Sequence, residues 1–124
     1  MADLLYIASS EQDAKAIKPF SDRLHGNHWF IANGIELAFE LCQFIHFDLV
    51  FIGDFANKHI IQAIETELAH LPMVVEVSMG NQVLRNYQFK KRVPMFDKPL
   101  SSIDIMRALL LFSNGQVESN RLMA

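Results

Sequence analysis

The sequence has 124 residues, about the length of one ordinary domain, and its 51% hydrophobic and 20% charged residues exclude a disordered chain. Its single cysteine, Cys42, excludes an internal disulfide and a cysteine metal cluster, and no apolar run approaches the ~18 residues of a membrane span. The net charge of −3 is uneven, because residues 1–80 hold 11 acids and 4 bases whereas residues 81–124 hold 3 acids and 7 bases, a pattern that affects encounters with partners.

Short apolar runs alternate with helical patterns from the start of the chain. Residues 4–8 predict a first strand, and Ser10 with Asp13 has the spacing of a capping box at a helix start. Apolar residues then recur at spacings of three or four, which predicts a helix. Pro19 lies inside that pattern and should kink or divide the helix.

The same alternation continues through the middle of the chain. Residues 28–32 predict a second strand, and residues 35–44 predict a strongly apolar helix. Residues 49–52 are apolar on both faces, as expected of a central parallel strand. Asn57 is placed to cap the helix that follows.

The last third of the chain adds two strands and ends in a polar segment. Residues 73–77 and 93–97 predict strands, separated by a short, poorly patterned helix over residues 82–89. A second capping box, Ser101 with Asp104, begins a final helix. Ser113-Asn114-Gly115 then predicts a helix stop. We therefore interpret residues 1–113 as the domain and residues 114–124 as a polar tail or linker.

Five repeats of strand and helix predict a single α/β domain with a five-stranded, doubly wound parallel sheet between two helical layers. Ligands of such sheets bind beyond the carboxyl ends of the strands. The chain has neither GxGxxG nor GxxxxGK[ST], so a dinucleotide site and a P-loop are excluded. The residues predicted at that edge follow four of the strands: Ala8, Ser9, Ser10, Gly53, Asp54, Ser78, Met79, Lys98 and Pro99.

Four segments in chain order resemble the receiver domains of two-component response regulators. Residues 47–53 resemble the strand that ends at the phosphoacceptor aspartate, and residues 73–78 the strand that ends in a small hydroxyl residue. Residues 96–100 resemble the conserved Lys-Pro segment of that family, and Ala32-Asn33-Gly34 its second turn. The resemblance covers residues 3–112 and implies the flavodoxin/CheY-like fold.

The resemblance also implies a degenerate site. In receivers, two acids and the acceptor aspartate hold Mg²⁺, while a hydroxyl and a lysine bind the phosphoryl oxygens. Ser78 and Lys98 take the places of the hydroxyl and the lysine. Ala8 and Ser9 take the places of the acidic pair, and Gly53 that of the acceptor. Because three carboxylates are missing, we expect no metal, no cofactor and no catalytic residue.

Asp54 and Glu11 leave an alternative open. A bulge could swing Asp54, one position beyond the acceptor, into the site, although strand alternation otherwise directs it to the opposite face. The chain would then be an atypical phosphoacceptor regulator that uses Mg²⁺. Without a phosphoryl group, we expect Lys98 to be structural and to pair with Asp54 or Glu11.

The last third also carries a predicted interaction face. In receivers, the fourth helix, fifth strand and fifth helix bind partners or form dimers. The basic residues in this part of the chain could belong to such a face, or they could form an ordinary solvated surface. The residues assigned to this face are Arg85, Lys90, Lys91, Arg92, Met95 and Arg107.

These features predict a cytoplasmic pseudo-receiver, a signalling module that is not an enzyme. It would act in a two-component or related pathway through phosphorylation-independent contacts with a protein partner or a second copy. A fused output domain or a cognate kinase would be further partners, and we expect no membrane contact. A third alternative is a regulatory domain that binds a small ligand or nucleic acid, although the acidic net charge opposes nucleic acid.

Overall fold

The computed structural model describes residues 2–23 and 26–123, in which five strands alternate with five helices. The elements are β1 (Asp3–Ala8), α1 (Glu11–Arg23), β2 (His28–Asn33), α2 (Ile35–Phe44), β3 (Leu49–Ile52), α3 (Lys58–Glu67), β4 (Met73–Val77), α4 (Gln82–Arg85), β5 (Met95–Asp97) and α5 (Ser102–Met123). In these residues, no helix has both the length and the apolar character needed to cross a membrane.

The five strands form one parallel sheet in the order β2-β1-β3-β4-β5. This order confirms the predicted flavodoxin/CheY-like fold. In the register, Ile7 lies beside Ile52, Ile52 beside Val75, and Val77 beside Asp97. The carboxyl ends of β1, β3, β4 and β5 therefore meet at one edge of the sheet, where ligands of such folds bind.

Helices cover both faces of the sheet. Helices α2, α3 and α4 pack on one face through Ala38, Ile61, Ile64 and Leu84. Helices α1 and α5 pack on the other through Ile17, Ile105 and Ala108. All four residues of β3 are buried, which explains why that segment is apolar in both directions.

Two predicted helices differ from the structure. Helix α1 is not divided, since Pro19 lies within one continuous helix. Ile17 of this helix is buried against the sheet, and such tertiary packing provides most of the stability of a helix in a protein. Helix α4 ends at Arg85, although residues 82–89 were predicted to be helical. The segment after it has no helical apolar period, and its aromatic residues Tyr87 and Phe89 pack on the core from irregular backbone.

The helix stop predicted at Ser113-Asn114-Gly115 is wrong, because α5 continues to Met123. Glycine inside a helix costs only about 1 kcal/mol relative to alanine, and several residues that follow it are good helix formers. The division into residues 1–113 and 114–124 stays a prediction. Met1 and Ala124, the outer ends of those ranges, lie outside the described residues.

Candidate functional site at the carboxyl edge of the sheet

Gly53, in the place of the phosphoacceptor, lies directly against the backbone of β1. Its N–H donates a hydrogen bond to the carbonyl oxygen of Ile7 at 2.8 Å. A Cβ atom added to Gly53 would lie 2.5 Å from that oxygen and 3.1 Å from the backbone nitrogen of Ser9. Both neighbours are backbone atoms, which cannot rotate away as a side chain would. This position therefore lacks the space for a side chain as well as the carboxylate.

Asp54 lies in the site, beside Ser78 and Lys98, although strand alternation was expected to direct it to the opposite face. Because β3 ends at Ile52, strand alternation no longer determines the direction of the Asp54 side chain. The backbone turns at this point, and the N–H of Phe55 donates a hydrogen bond to the carbonyl oxygen of Gly53 at 2.8 Å. Asp54 Oδ1 accepts hydrogen bonds from the backbone N–H of Ser78 at 3.0 Å and from Asn81 Nδ2 at 2.8 Å. Its side chain is only 11% exposed.

Lys98 lies between two carboxylates. Its Nζ is 2.9 Å from Asp13 Oδ1 and 3.6 Å from Asp54 Oδ2. Ser9 Oγ donates a hydrogen bond to Asp13 Oδ2 at 3.0 Å, which holds Asp13 toward the lysine. Lys98 thus pairs with Asp54, one of the two partners that the sequence predicted. The other predicted partner, Glu11, is exposed and forms an ion pair with Lys15 at 3.4 Å instead.

The ionisation of this group follows from its contacts. Burial alone would raise the pKa of Asp54, but hydrogen bonds from Ser78 and Asn81 and the charge of Lys98 outweigh it, so its pKa lies below the ordinary value. Burial alone would lower the pKa of Lys98, but Asp13 and Asp54 outweigh it and its pKa lies above the ordinary value. Asp54 and Lys98 are therefore both charged at neutral pH.

The donor set differs from the one that the receiver resemblance implies for Mg²⁺. Ala8 is fully buried and has no ligand atom in its side chain, and the Ser9 hydroxyl is used by Asp13. The two carboxylates present, on Asp13 and Asp54, both face the ammonium of Lys98. Over residues 2–23 and 26–123, no group of three or more His, Cys, Asp or Glu side chains is placed to hold a metal ion.

A buried pair supports the segment that carries Lys98. Tyr6 donates a hydrogen bond from its hydroxyl to Glu76, and the N–H of Leu100 donates to Glu76 Oε2 at 3.0 Å. Burial and the neighbouring carboxylate raise the pKa of Tyr6, so it remains a protonated donor. Leu100 follows the Lys98–Pro99 peptide bond, which is cis. These contacts fix the chain directly after Lys98.

Three residues of the site were missed by sequence reasoning. Asp13 and Asn81 look like ordinary helix-start residues, and Ser10 Oγ does accept the N–H of Asp13 at 3.1 Å. The Asp13 carboxylate, however, turns to Ser9 and Lys98. Asn81 also caps α4, while its amide donates to Asp54 and to the carbonyl oxygen of Phe55 at 2.9 Å. The third, Glu76, had a visible signal, because it is an acid within an apolar strand.

The basic residues of the predicted interaction face differ in their contacts and in the part of the fold where they lie. Arg85 donates to the carbonyl oxygen of Ser78 at 3.1 Å and to Asp97 Oδ1 at 3.1 Å. Lys91 Nζ donates to the carbonyl oxygens of Ala69 and Leu71, which follow α3, and Lys90 is exposed beside α3. Arg92 is exposed, and Arg107 lies on α5, which covers the opposite face of the sheet from α3.

The exposed side chains around β5 and α5 include several large apolar ones. Ile103, Met106 and Leu110 are each more than half exposed and recur at spacings of three and four, so they share one side of α5. Met95 on β5 is also exposed. The described part of this face is therefore more apolar than the sequence predicted.

No protein-family model and no curated protein matches the chain. Solved structures do match, and receiver domains are among them. The receiver domain of the Francisella response regulator 1452 is 14% identical, with a TM-score of 0.67 over 93% of this chain and 99% of that chain. The signal receiver domain of an HD domain-containing protein from Pseudomonas fluorescens Pf-5 is 13% identical, with a TM-score of 0.73 over 94% and 98%.

A longer protein has the same fold in part of its chain. The anti-anti-sigma factor PhyR from Bartonella quintana is 14% identical, with a TM-score of 0.73 over 99% of this chain and 51% of that chain. At these identities the matches show the fold. The chain has the fold of response-regulator receiver domains.

Proposed function

We propose that this chain is a pseudo-receiver, a cytoplasmic signalling module that acts through protein contacts without being phosphorylated. The observation that carries the proposal is the contact between Gly53 and β1. An aspartate cannot be placed there without moving backbone, because its Cβ would lie 2.5 Å from the carbonyl oxygen of Ile7. The usual phosphoacceptor is therefore lost together with the space that it needs.

The ion pairs of Lys98 support a module that uses no metal and catalyses no reaction. A Mg²⁺ ion placed between Asp13 and Asp54 would have to displace an ammonium that is within 3.6 Å of both. Mg²⁺ also gives up its water reluctantly and demands near-octahedral geometry. We propose that Lys98 supplies the positive charge permanently, so that the site is held in one state.

The apolar side chains around β5 and α5 support a protein interface at the face formed by α4, β5 and α5. Contiguous exposed apolar side chains commonly mark protein interaction sites, and Ile103, Met106 and Leu110 form such a row. The occupant would be a second copy or a partner of the signalling pathway, such as a kinase or a fused output domain. The match to half of the longer PhyR chain is consistent with this arrangement.

Intact-mass measurement after incubation with acetyl phosphate and Mg²⁺ tests the proposal. We expect no change in mass, while an active receiver domain treated in parallel gains a phosphoryl group. A phosphorylated Asp54 in this chain would overturn the proposal.

A second candidate, phosphorylation at Asp54, has one observation in its favour. Asp54 Oδ2 faces Lys98 Nζ, and Oδ1 lies at the N–H of Ser78, so this carboxylate contacts the residues that bind a phosphoryl group in receivers. Against it, Oδ1 is already held by two donors and the side chain is nearly buried. Under this candidate, Asp54→Asn would abolish a mass gain that the wild type shows.

Nucleic-acid binding, a third alternative, has less support. Arg85 and Lys91 already donate hydrogen bonds to carbonyl oxygens of the protein, which reduces the positive charge available to bind phosphates.

A further inference from the structure

A groove of about 810 Å³, lined by apolar surface and by several polar side chains, lies between α3 and the segment that contains α4. Helix α4 has only four residues, and irregular backbone continues from it toward β5 along one side of the groove. The volume of the groove is within the range of about 300–1,000 Å³ that is usual for binding sites. The side chains that line its rim include Lys58, Gln62, Gln82, Asn86, Gln88 and Lys90.

The floor of the groove is held in place by Glu65 of α3. This buried carboxylate accepts a hydrogen bond from the Tyr87 hydroxyl at 2.8 Å and another from the N–H of Lys90 at 2.6 Å. Burial and the hydrogen bond to Glu65 raise the pKa of Tyr87 to about 12, so the donor stays protonated. The Tyr87 ring packs edge-on against Phe89 at 4.7 Å between centroids. The groove is therefore preformed.

The rim offers polar groups that the protein itself does not use. Among the described residues, no hydrogen bond or ion pair engages the side chains of Lys58, Gln62, Gln82, Gln88 or Lys90. A side-chain amide offers both a donor and an acceptor, which matches the N–H and C=O groups of an extended peptide. The two ammonium groups match carboxylates. Glu65 keeps its negative charge, but the two lysines outnumber it in the lining, so the groove has a net positive charge.

We propose that this groove binds an acidic segment of a partner protein in an extended conformation. Carboxylates of the segment would contact Lys58 and Lys90, and its backbone would contact the glutamine amides. Helix α3 has ten residues and is about 15 Å long, which matches four to five residues of extended chain at roughly 3.3 Å each. A nucleobase fits less well, because the aromatic ring in the groove, Tyr87, is occupied by Phe89 and Glu65.

The groove shares α4 and Lys90 with the predicted interaction face, but Gly53 and Lys98, which carry the pseudo-receiver proposal, do not line it. Failure of the groove proposal would therefore leave the pseudo-receiver proposal intact. The probe is a short fluorescein-labelled peptide of alternating glutamate and alanine, followed by fluorescence anisotropy. NMR of the ¹⁵N-labelled protein with the unlabelled peptide locates the contact. We expect saturable binding and shifted amides confined to α3 and residues 82–91.

The double substitution K58Q/K90Q should weaken the peptide about tenfold, as expected from two partly solvated ion pairs. Lys15→Gln, at an exposed lysine on α1, is the control and should leave the affinity unchanged. Circular dichroism of the double variant should match the wild type, because neither ammonium has a partner to lose.

Four outcomes would overturn the proposal. They are no saturable binding, unchanged affinity in K58Q/K90Q, displacement of the peptide by inorganic phosphate or ATP, and amide shifts on α5 in place of α3. Tighter binding of single-stranded DNA than of the peptide would also assign the groove to a different class of ligand.

Discussion

Lys98 and Asp13 form an ion pair at 2.9 Å that joins the end of β5 to α1 across the carboxyl edge of the sheet. The same ammonium lies 3.6 Å from Asp54 at the end of β3. One cation thus connects α1, β3 and β5 at this edge. A receiver uses the equivalent region for a reaction, whereas here the contacts are satisfied within the chain.

Lys98→Met should destabilise the protein by about 2 kcal/mol, because it leaves two partly buried carboxylates without their cation. That magnitude lies between the values for exposed and buried ion pairs. Urea denaturation measures the free energy of unfolding. Lys15→Met, which removes only the exposed pair with Glu11, is the control and should cost at most about 1 kcal/mol. Equal losses in the two variants would contradict a structural role for the Lys98 pairs.

Lys98→Met should also create a response to Mg²⁺ that the wild type lacks. Without the ammonium, Asp13 and Asp54 present two carboxylates to the same space, and Mg²⁺ is often held by one or two carboxylates plus water. A ligand that binds only the folded state raises the apparent stability. We expect millimolar Mg²⁺ to raise the urea midpoint of the variant relative to the same concentration of Na⁺ salt. A similar rise in the wild type would show that Lys98 does not block the ion.

Gly53→Asp restores the family's acceptor but should destabilise the fold by about 1–3 kcal/mol, the usual cost of overpacking. The new Cβ would lie 2.5 Å from the carbonyl oxygen of Ile7. Gly80→Asp is the matched control, since a Cβ at Gly80 meets no described atom within 4 Å. Both free energies of unfolding come from urea titration. A Gly53→Asp variant as stable as the Gly80→Asp variant would show that β1 and β3 can separate at no cost.

The fold could be predicted because most elements, unlike α4, have a clear apolar pattern. The residues of β3 are apolar on both faces, as their complete burial requires. Asn57 caps α3 as predicted, because its side-chain oxygen accepts hydrogen bonds from the N–H groups of His59 and Ile60. The end of α5 could not be predicted, because Gly115 is a weak stop when helix formers follow it.

The candidate site was predictable only where strand ends define it. Ser78 and Lys98 follow β4 and β5 directly, so the sheet order brings them together. Asp13 could not be assigned, because its spacing to Ser10 equals that of Ser101 and Asp104. In the second pair both reciprocal bonds form at 3.1 Å, whereas the carboxylate of Asp13 is diverted to Lys98. Only the tertiary structure distinguishes the two boxes.

The pH dependence of stability should show the contribution of Asp54. Its pKa in the folded state is lower than the ordinary value of 3.8, so folding favours the ionised form. This stability is present above about pH 4 and is lost as the pH falls through the folded pKa. Asp54→Asn should therefore lose less stability than the wild type between about pH 6 and about pH 3, measured by urea midpoints. Parallel curves for the two proteins would show that Asp54 is not stabilised by Ser78, Asn81 and Lys98.

The double substitution M106E/L110E should abolish self-association if a second copy occupies the face of α4, β5 and α5. Both side chains are more than half exposed on one side of α5, and a charge in the centre of an apolar contact stays unpaired when the contact forms. Sedimentation velocity should show a dimer for the wild type and a monomer for the variant. Phe44→Glu, at an apolar residue that is 80% exposed on α2, should leave the dimer unchanged. A monomeric wild type would exclude a second copy, and a dimer that only Phe44→Glu dissociates would move the interface to α2.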